Sequence, residues 1–580
     1  MNRIYRTLTY PSITWLLILL PVAGFFAYFF TLRFDIPWFD EYENIPFFLQ
    51  QFLDADSFQE RIAALIRPNN EHRVVYARLV VFGQYLLTGG ISYSGLMLWG
   101  NLGLVVILIL LYSTIRRLGL PVAYLLPVPL MLFSAQNYLL TFTAIYTLQY
   151  LAIIMLVLVT FFLLAQDGTR LSISLTRPKE RPVYFVLALV MGFLATFSMG
   201  NGILLWPAGA AMLFIQRRWV QLVIWLVIGA ASIYLYFLGY PVQQGNAEGF
   251  AYVLKHPFQT IAGFLIFAGS IFDFFPAWPI EKRVHLPFLA GLLVIAFLVF
   301  WTVRVVFRKD RNTSFSDVFL LGCVLFLLAN MGLIAFFRIR FYFGMVLHSS
   351  YRTYSLVLWA VAYVALLHTV ATSTRISMQR QALINRYLLV GLFAVFVFVS
   401  GFTYKTYIPE AVQRRLHMQG LTYNQQHNRI GLGGTRNSAL AKWIIELTDV
   451  MTQRKWYTLP EPAITADEKK INGMVRDTIK ATPYTIEYKP DYVVMSSDEA
   501  GYTVDRHTGT YLIFRSDQHA YVMFAEPNKP KGRHPFRALP GWSAAMPKAL
   551  IEPGRYRIGL FRMDNGKGSV QYTNKFVSVD

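Results

Sequence analysis

Twelve apolar runs between residues 13 and 404 restrict what this chain can fold into more than any other feature. They lie near 13–30, 96–115, 121–134, 146–165, 184–199, 202–216, 219–238, 258–275, 286–307, 316–337, 354–372 and 387–404. A helix of about twenty such residues, rising 1.5 Å per residue, crosses the roughly 30 Å hydrocarbon layer of a bilayer. Hydrophobic residues make up 55% of the 580 and charged residues only 15%, which excludes a wholly soluble protein. The net charge of +21 does not point to nucleic acid, because the basic residues sit in short clusters between apolar runs, as membrane topology requires. Cys323 is the only cysteine and lies inside a run, so a disulfide framework and a thiolate metal cluster are both excluded.

Charge sets the expected topology. Arg3 and Arg6 precede the first run, and Arg33, Asp35 and Trp38 follow it in place of a small-residue cleavage site, so it reads as a retained helix with a cytoplasmic N-terminus. Basic clusters follow alternate runs: Arg116 and Arg117; Arg170, Arg177, Lys179 and Arg181; Arg217 and Arg218; Arg304, Arg308, Lys309 and Arg311; Arg375, Arg380 and Arg386. These mark cytoplasmic loops. Parity then fails at 258–275, which would lie between two outer loops. With Gly263, Gly269 and Asp273, and Pro276 and Pro279 just beyond, it reads as re-entrant or interfacial.

The expected fold is therefore a polytopic α-helical membrane protein of about 11 transmembrane helices over 1–404, with a long first outer loop at 34–95. An extracytoplasmic C-terminal domain over 405–580 is expected to be mostly β and β-sandwich-like. Its strand-like stretches are 484–488, 510–514, 520–524 and 556–561, a hairpin turn is expected within 564–568, and one helix over 438–452 falls in a mixed segment at 405–480.

The densest chemistry lies where the chain leaves the first run. Asp35, Asp40, Glu41 and Glu43 place four carboxylates within nine residues, beside Trp38 and Phe39. A carboxylate partly desolvated at the membrane edge gains basicity and stays reachable from water; the plainer alternative is a solvated loop with a tryptophan anchor. The same loop continues through Asn69, Asn70, Glu71, His72 and Arg73 to Arg78. Here His72 could move a proton and Arg73 or Arg78 could hold a phosphate oxygen, or else Asn69 or Asn70 caps a helix and Arg78 snorkels. Asp54 and Asp56 match a D-x-D pattern but read better as a helix cap. Beyond the run 316–337 come Arg338, Arg340, Tyr342, His348, Ser349, Ser350, Tyr351 and Arg352. Three arginines on an outer face oppose the positive-inside trend, and an anionic ligand explains them; ordinary headgroups or the first-loop carboxylates are the alternative partners. Gln136, Asn137, Gln149, Asn201, Lys255 and His256 are polar residues in or beside apolar runs, where they commonly face a cavity.

One helix followed by an outer loop that opens on an acidic pair resembles the GT-C superfamily of integral-membrane glycosyltransferases that use polyprenyl-phosphate sugars. The Asn-Glu-His-Arg string at 70–73 is similar to a stretch in uncharacterised bacterial proteins of GT-C type. The resemblance implies an inner-membrane enzyme with its C-terminal domain in the periplasm. It implies Asp40 as the base on the acceptor, with Glu41 as the alternate. Arg338, Arg340, Arg352, Arg73 and Arg78 would bind donor phosphate, and Glu43, Asn70, Glu71, His72, His348, Tyr351 and Gln149 would contact substrate. The expected partners are the polyprenyl-phosphate donor, a glycan or lipid acceptor and membrane lipids, without nucleic acid. The resemblance specifies no cofactor, and the displacement is metal-independent or assisted by a divalent cation, Mg or Mn. A flippase of lipid-linked saccharides and an O-antigen ligase or polymerase are the rival readings. No Walker-type loop, zinc spacing or G-x-S-x-G elbow occurs.

Overall fold

The computed structural model describes residues 2–70, 72–166, 182–240, 245–308, 313–473, 484–529 and 539–580. Glu71 and the basic residues at 170, 177, 179, 181, 309 and 311 lie outside them. Among the described residues nine helices are long and apolar enough to cross a membrane: Pro11–Leu32, Tyr93–Arg117, Val122–Thr141, Ala144–Gln166, Trp219–Phe237, Ile280–Val306, Phe315–Arg338, Arg352–Ala371 and Met378–Asn428. The chain is a polytopic, mostly helical membrane protein. Two further runs form shorter helices, Pro182–Ser198 and Gly200–Ile215, near the lower end of the span range of about 17–25 residues.

The segment singled out by parity contains a helix of only 12 residues, Pro257–Ala268. At 1.5 Å per residue it extends about 18 Å, too short for the hydrocarbon layer. It crosses Ile280–Val306 backbone to backbone, because a Cβ on Gly269 would strike the Pro287 carbonyl and one on Gly291 would strike the Leu265 carbonyl.

Val122–Thr141 is broken within its length. A 3-10 turn at Val122–Leu125 leads to a helix at Pro127–Leu132, and helical geometry is lost at Phe133 (φ −91°, ψ 73°) before a second 3-10 turn at Ala135–Asn137. Backbone freed inside a membrane protein must find other partners. Here Ser349 Oγ donates to the Gln136 carbonyl at 2.5 Å and accepts from Leu139 N at 3.2 Å. The Gln136 side chain donates to the Ile271 carbonyl at 2.8 Å. Close by in sequence, Asp273 is fully buried and takes two guanidinium groups: Arg283 Nε at 2.8 Å from Oδ1, and Arg352 Nη2 on Oδ2.

The chain divides into two compact units. One comprises Met1–Phe29, Gln51–Val80 and Leu96–Lys405; the other comprises Phe30–Gln50, Val81–Gly95 and Thr406–Asp580. The second unit carries two four-stranded antiparallel sheets. In the first the order is Lys567–Val579, Gly554–Asp564, Gly509–Arg515, Ala520–Phe524; in the second it is Tyr484–Tyr488, Tyr492–Ser497, Trp542–Pro547, Glu526–Pro527. Asn565 (φ 49°) and Gly566 (φ 79°) close the turn that pairs Asp564 with Lys567, the left-handed two-residue geometry that matches strand twist.

The second unit departs from the sequence expectation in two ways. The last apolar helix does not stop near 404 but continues to Asn428. Tyr407, Ala411, Leu416, Met418 and Leu421 are buried along this extension, and Asn424 binds both the Val522 amide (2.9 Å) and the Val522 carbonyl (2.8 Å). The helix therefore covers the edge strand Ala520–Phe524, satisfying backbone groups that an open edge would leave unpaired. Two pieces of the first loop also belong to this unit: the Ile91 amide donates to the Trp456 carbonyl at 2.8 Å, and Phe47 meets Trp443 edge to face at 5.5 Å. Ser438 caps the helix Ala439–Gln453, one residue from the expected bounds.

Candidate functional site

In the second unit the carboxylate run has separated into distinct jobs. Glu41 is fully buried and its Oε2 accepts from the Trp38 amide at 2.6 Å, closing the first turn of the short helix Asp40–Tyr42. Asp35 Oδ1 accepts from the Ser94 amide at 2.9 Å, and its carbonyl accepts from the Tyr457 hydroxyl. Burial raises the Asp35 pKa, opposed by the Ser94 and Tyr93 amides and by Arg33. Asp40, by contrast, faces solvent, while the packed chain around it removes part of its hydration and raises its pKa above the ordinary carboxylate value. It follows Phe39, held at φ 28°, ψ −98°, a conformation of a type that costs about 1–3 kcal/mol and clusters at functional sites. Glu43 opens a five-residue π-helical turn, Glu43–Phe47, that contains Pro46; the proline lacks the amide that a regular helix would need.

Arg414, which sequence reasoning passed over, belongs to the same unit. Its guanidinium lies 5.8 Å from the Trp38 ring centre and 6.0 Å from that of Phe34. The pair Arg414-Arg415 was its one sequence signal, and it fell in the segment expected to be mixed.

In the first unit a cavity of about 200 Å³ gathers His72, Arg338 and Tyr351 from three distant segments, with Asn201, Tyr150, Tyr236 and Tyr240. His72 reaches it from a two-stranded hairpin, Pro68–Asn69 against His72–Arg73, whose tip Asn70 has φ 48°. The alternative of a helix start capped by Asn69 or Asn70 is thus corrected: the helix begins later, at Val75. The Gly200 amide donates to His72 Nδ1 at 3.3 Å, which leaves Nε2 to carry the proton in the neutral ring. Tyr150 and Tyr351 meet at 5.5 Å, and Asn201 donates to the Asn330 side chain at 2.6 Å. A guanidinium can hold an anionic group and the tyrosine rings offer apolar faces, so the cavity combines the two kinds of contact.

Three of the expected phosphate-binding arginines hold the protein together instead. Arg73 donates to the Tyr236 carbonyl at 2.8 Å, the Leu238 carbonyl at 2.6 Å and the Ile66 carbonyl, and burial lowers its pKa. Arg78 is fully buried and caps the carbonyl end of the helix Phe58–Ile66 through Ala64 (3.2 Å), Leu65 (2.9 Å) and Arg67 (2.6 Å). Arg352 is held by Asp273 and by the Leu347 carbonyl. Arg340 pairs with Glu248 at 3.1 Å and stacks on Phe341. His348 sits 2.7 Å from Ser350 Oγ, and Gln149 is buried in the π-helical turn Thr147–Leu151, next to Tyr150.

Asn70 is exposed at its hairpin tip, and Glu71 lies outside the described residues. Asp54 and Asp56 precede the Ser57 cap, where Ser57 accepts from the Glu60 amide and Glu60 from the Asp56 amide. Among the described residues no three His, Cys, Asp or Glu side chains come together to hold a metal ion.

These features define a polytopic membrane protein with a C-terminal β-sheet region. No protein-family model matches the chain, and no match was found among curated proteins or solved structures.

Proposed function

We propose that the chain is a GT-C-like integral-membrane glycosyltransferase that moves a sugar from a polyprenyl-phosphate donor to a cell-envelope glycan or lipid acceptor on the outer side of the membrane. The observation that carries this reading is Asp40: solvent-facing, raised in pKa by lost hydration, and set beside a strained Phe39, while its neighbour Glu41 is buried in a structural bond. Transfer needs a base for the acceptor hydroxyl and a cation for the departing lipid phosphate. Asp40 takes the hydroxyl proton as the acceptor oxygen bonds to the anomeric carbon and the bond to the lipid phosphate oxygen breaks. The negative charge developing on that phosphate calls for a guanidinium, the role the resemblance gives to Arg338. A single displacement inverts the anomeric centre, and phosphate leaves without an acid.

The test uses purified full-length protein with a polyprenyl-phosphate sugar. Asp40→Asn lowers turnover at least about a hundredfold, the lower end of what a positioned base contributes, with little change in donor affinity. Because the Asp40 pKa is raised, its basic form is lost as pH falls through that raised value, so the wild-type rate climbs with pH above the ordinary carboxylate range. Any slow residual rate of the variant lacks that limb. Full turnover in Asp40→Asn would remove Asp40 as the base and pass that role to another group such as His72, whereas absence of transfer by the wild-type protein would favour a flippase of lipid-linked saccharides, which needs no proton acceptor.

A further inference from the structure

The helices Phe315–Arg338 and Arg352–Ala371 carry the Arg338 cavity at one end and a second, unrelated pocket at the other. From Asp317 to Arg338 the rise along the helix is about 30 Å. The second pocket encloses about 420 Å³ and is lined by Arg304, Arg308, Arg375, Asp317, His368 and Trp301 among others. Among the described residues Asp317 is the only acid in that lining. Its carboxylate is already engaged: Oδ2 accepts from Ser314 N and Ser314 Oγ, both at 2.8 Å, as a capping box for the helix that starts at Phe315. Its Oδ1 lies 3.0 Å from His368 Nε2. Both side chains are buried, and His368 Nδ1 has no hydrogen-bond partner among the described residues. Arg308 approaches Asp317 only to 3.9 Å.

Among the described lining residues, three guanidinium groups stand against one engaged carboxylate, a cationic balance. The positive-inside rule accounts for arginines near the ends of spans, but not for their convergence on a polar pocket floored by a buried His–Asp pair. We propose that this pocket binds a phosphate group, carried by an anionic phospholipid headgroup or by a phosphorylated solute. Guanidinium forks match phosphate oxygens at two points, and the Trp301 side offers an apolar wall for glycerol or acyl carbons.

The test heats the full-length protein in detergent and follows labelling of buried Cys323, the only cysteine, by a thiol-reactive dye. One arm compares phosphatidylglycerol with phosphatidylcholine in the micelle. The other titrates inorganic phosphate and glycerol phosphate into phosphatidylcholine micelles at constant ionic strength. Either arm raising the wild-type midpoint supports the site and identifies the source. Arg308→Gln and Arg375→Gln each weaken the response about tenfold or more, the lower end for a hydrogen bond to a charged group, and Arg308→Lys restores it only in part. Arg380→Gln, an exposed charge outside the pocket, leaves it intact. The proposal is overturned if neither arm moves the wild-type midpoint, or if Arg380→Gln weakens the response as much as Arg375→Gln does.

Discussion

Asp273→Ala is the most searching perturbation of the membrane unit. The Asp273 side chain is 0% exposed and its partners Arg352 and Arg283 are 2% and 16% exposed. Removing the carboxylate takes the ionic partner from the buried Arg352, which keeps its hydrogen bonds to the Leu347 carbonyl. Breaking a buried pair by deleting one partner costs about 3–5 kcal/mol. The loss reaches beyond the pair, because the neighbouring Ile271 carbonyl holds Gln136, whose own carbonyl is bound by Ser349 at the broken helix. Heating in detergent with a thiol-reactive dye reads the loss directly, since Cys323 is 0% exposed until the helices part. The midpoint should fall by about 4–6 °C. The double variant Asp273→Leu with Arg352→Met should recover more than half of the loss, because replacing both members of a buried pair by apolar groups is often near neutral. A decrease below about 1 kcal/mol in Asp273→Ala, the scale of a solvated pair, would refute the reasoning. So would strict additivity in the double variant.

The arginines sort by a paired test. Arg78→Met orphans the carbonyls of Ala64, Leu65 and Arg67 and should cost about 1–3 kcal/mol of thermal stability with little change in donor binding, whereas Arg338→Met should weaken donor binding; the reverse pattern would exchange their roles. Gly291→Val should destabilise by at least about 1–3 kcal/mol in the same Cys323 assay, since its side chain meets the Leu265 carbonyl across the helix crossing, and wild-type stability would show that the crossing is looser than described. In a Cys323→Ser background, Lys282→Cys and Asp498→Cys should react with an impermeant maleimide from outside, and Arg375→Cys only after permeabilisation; Lys282→Cys reacting from inside would make Pro257–Ala268 a crossing segment.

Local information was legible in the sequence. Apolar run length determined that the chain enters a membrane, and the parity of the basic clusters isolated the segment whose helix proves to be only 12 residues long. Ser438 announced its helix, and Asn565-Gly566 announced its hairpin, because caps and left-handed turns depend on a few adjacent residues. The cluster holding Asp40 and Glu41 was visible as a cluster, but which carboxylate faces water depended on the bond from the Trp38 amide to Glu41. Only the tertiary structure decided what each arginine does. Arg73 binds a carbonyl 163 residues away and Arg352 a carboxylate 79 residues away, while Arg338 meets His72 and Tyr351 in one cavity. Hydropathy and charge register composition along the chain, whereas the partner that neutralises a charge is set by which distant segments fold against it.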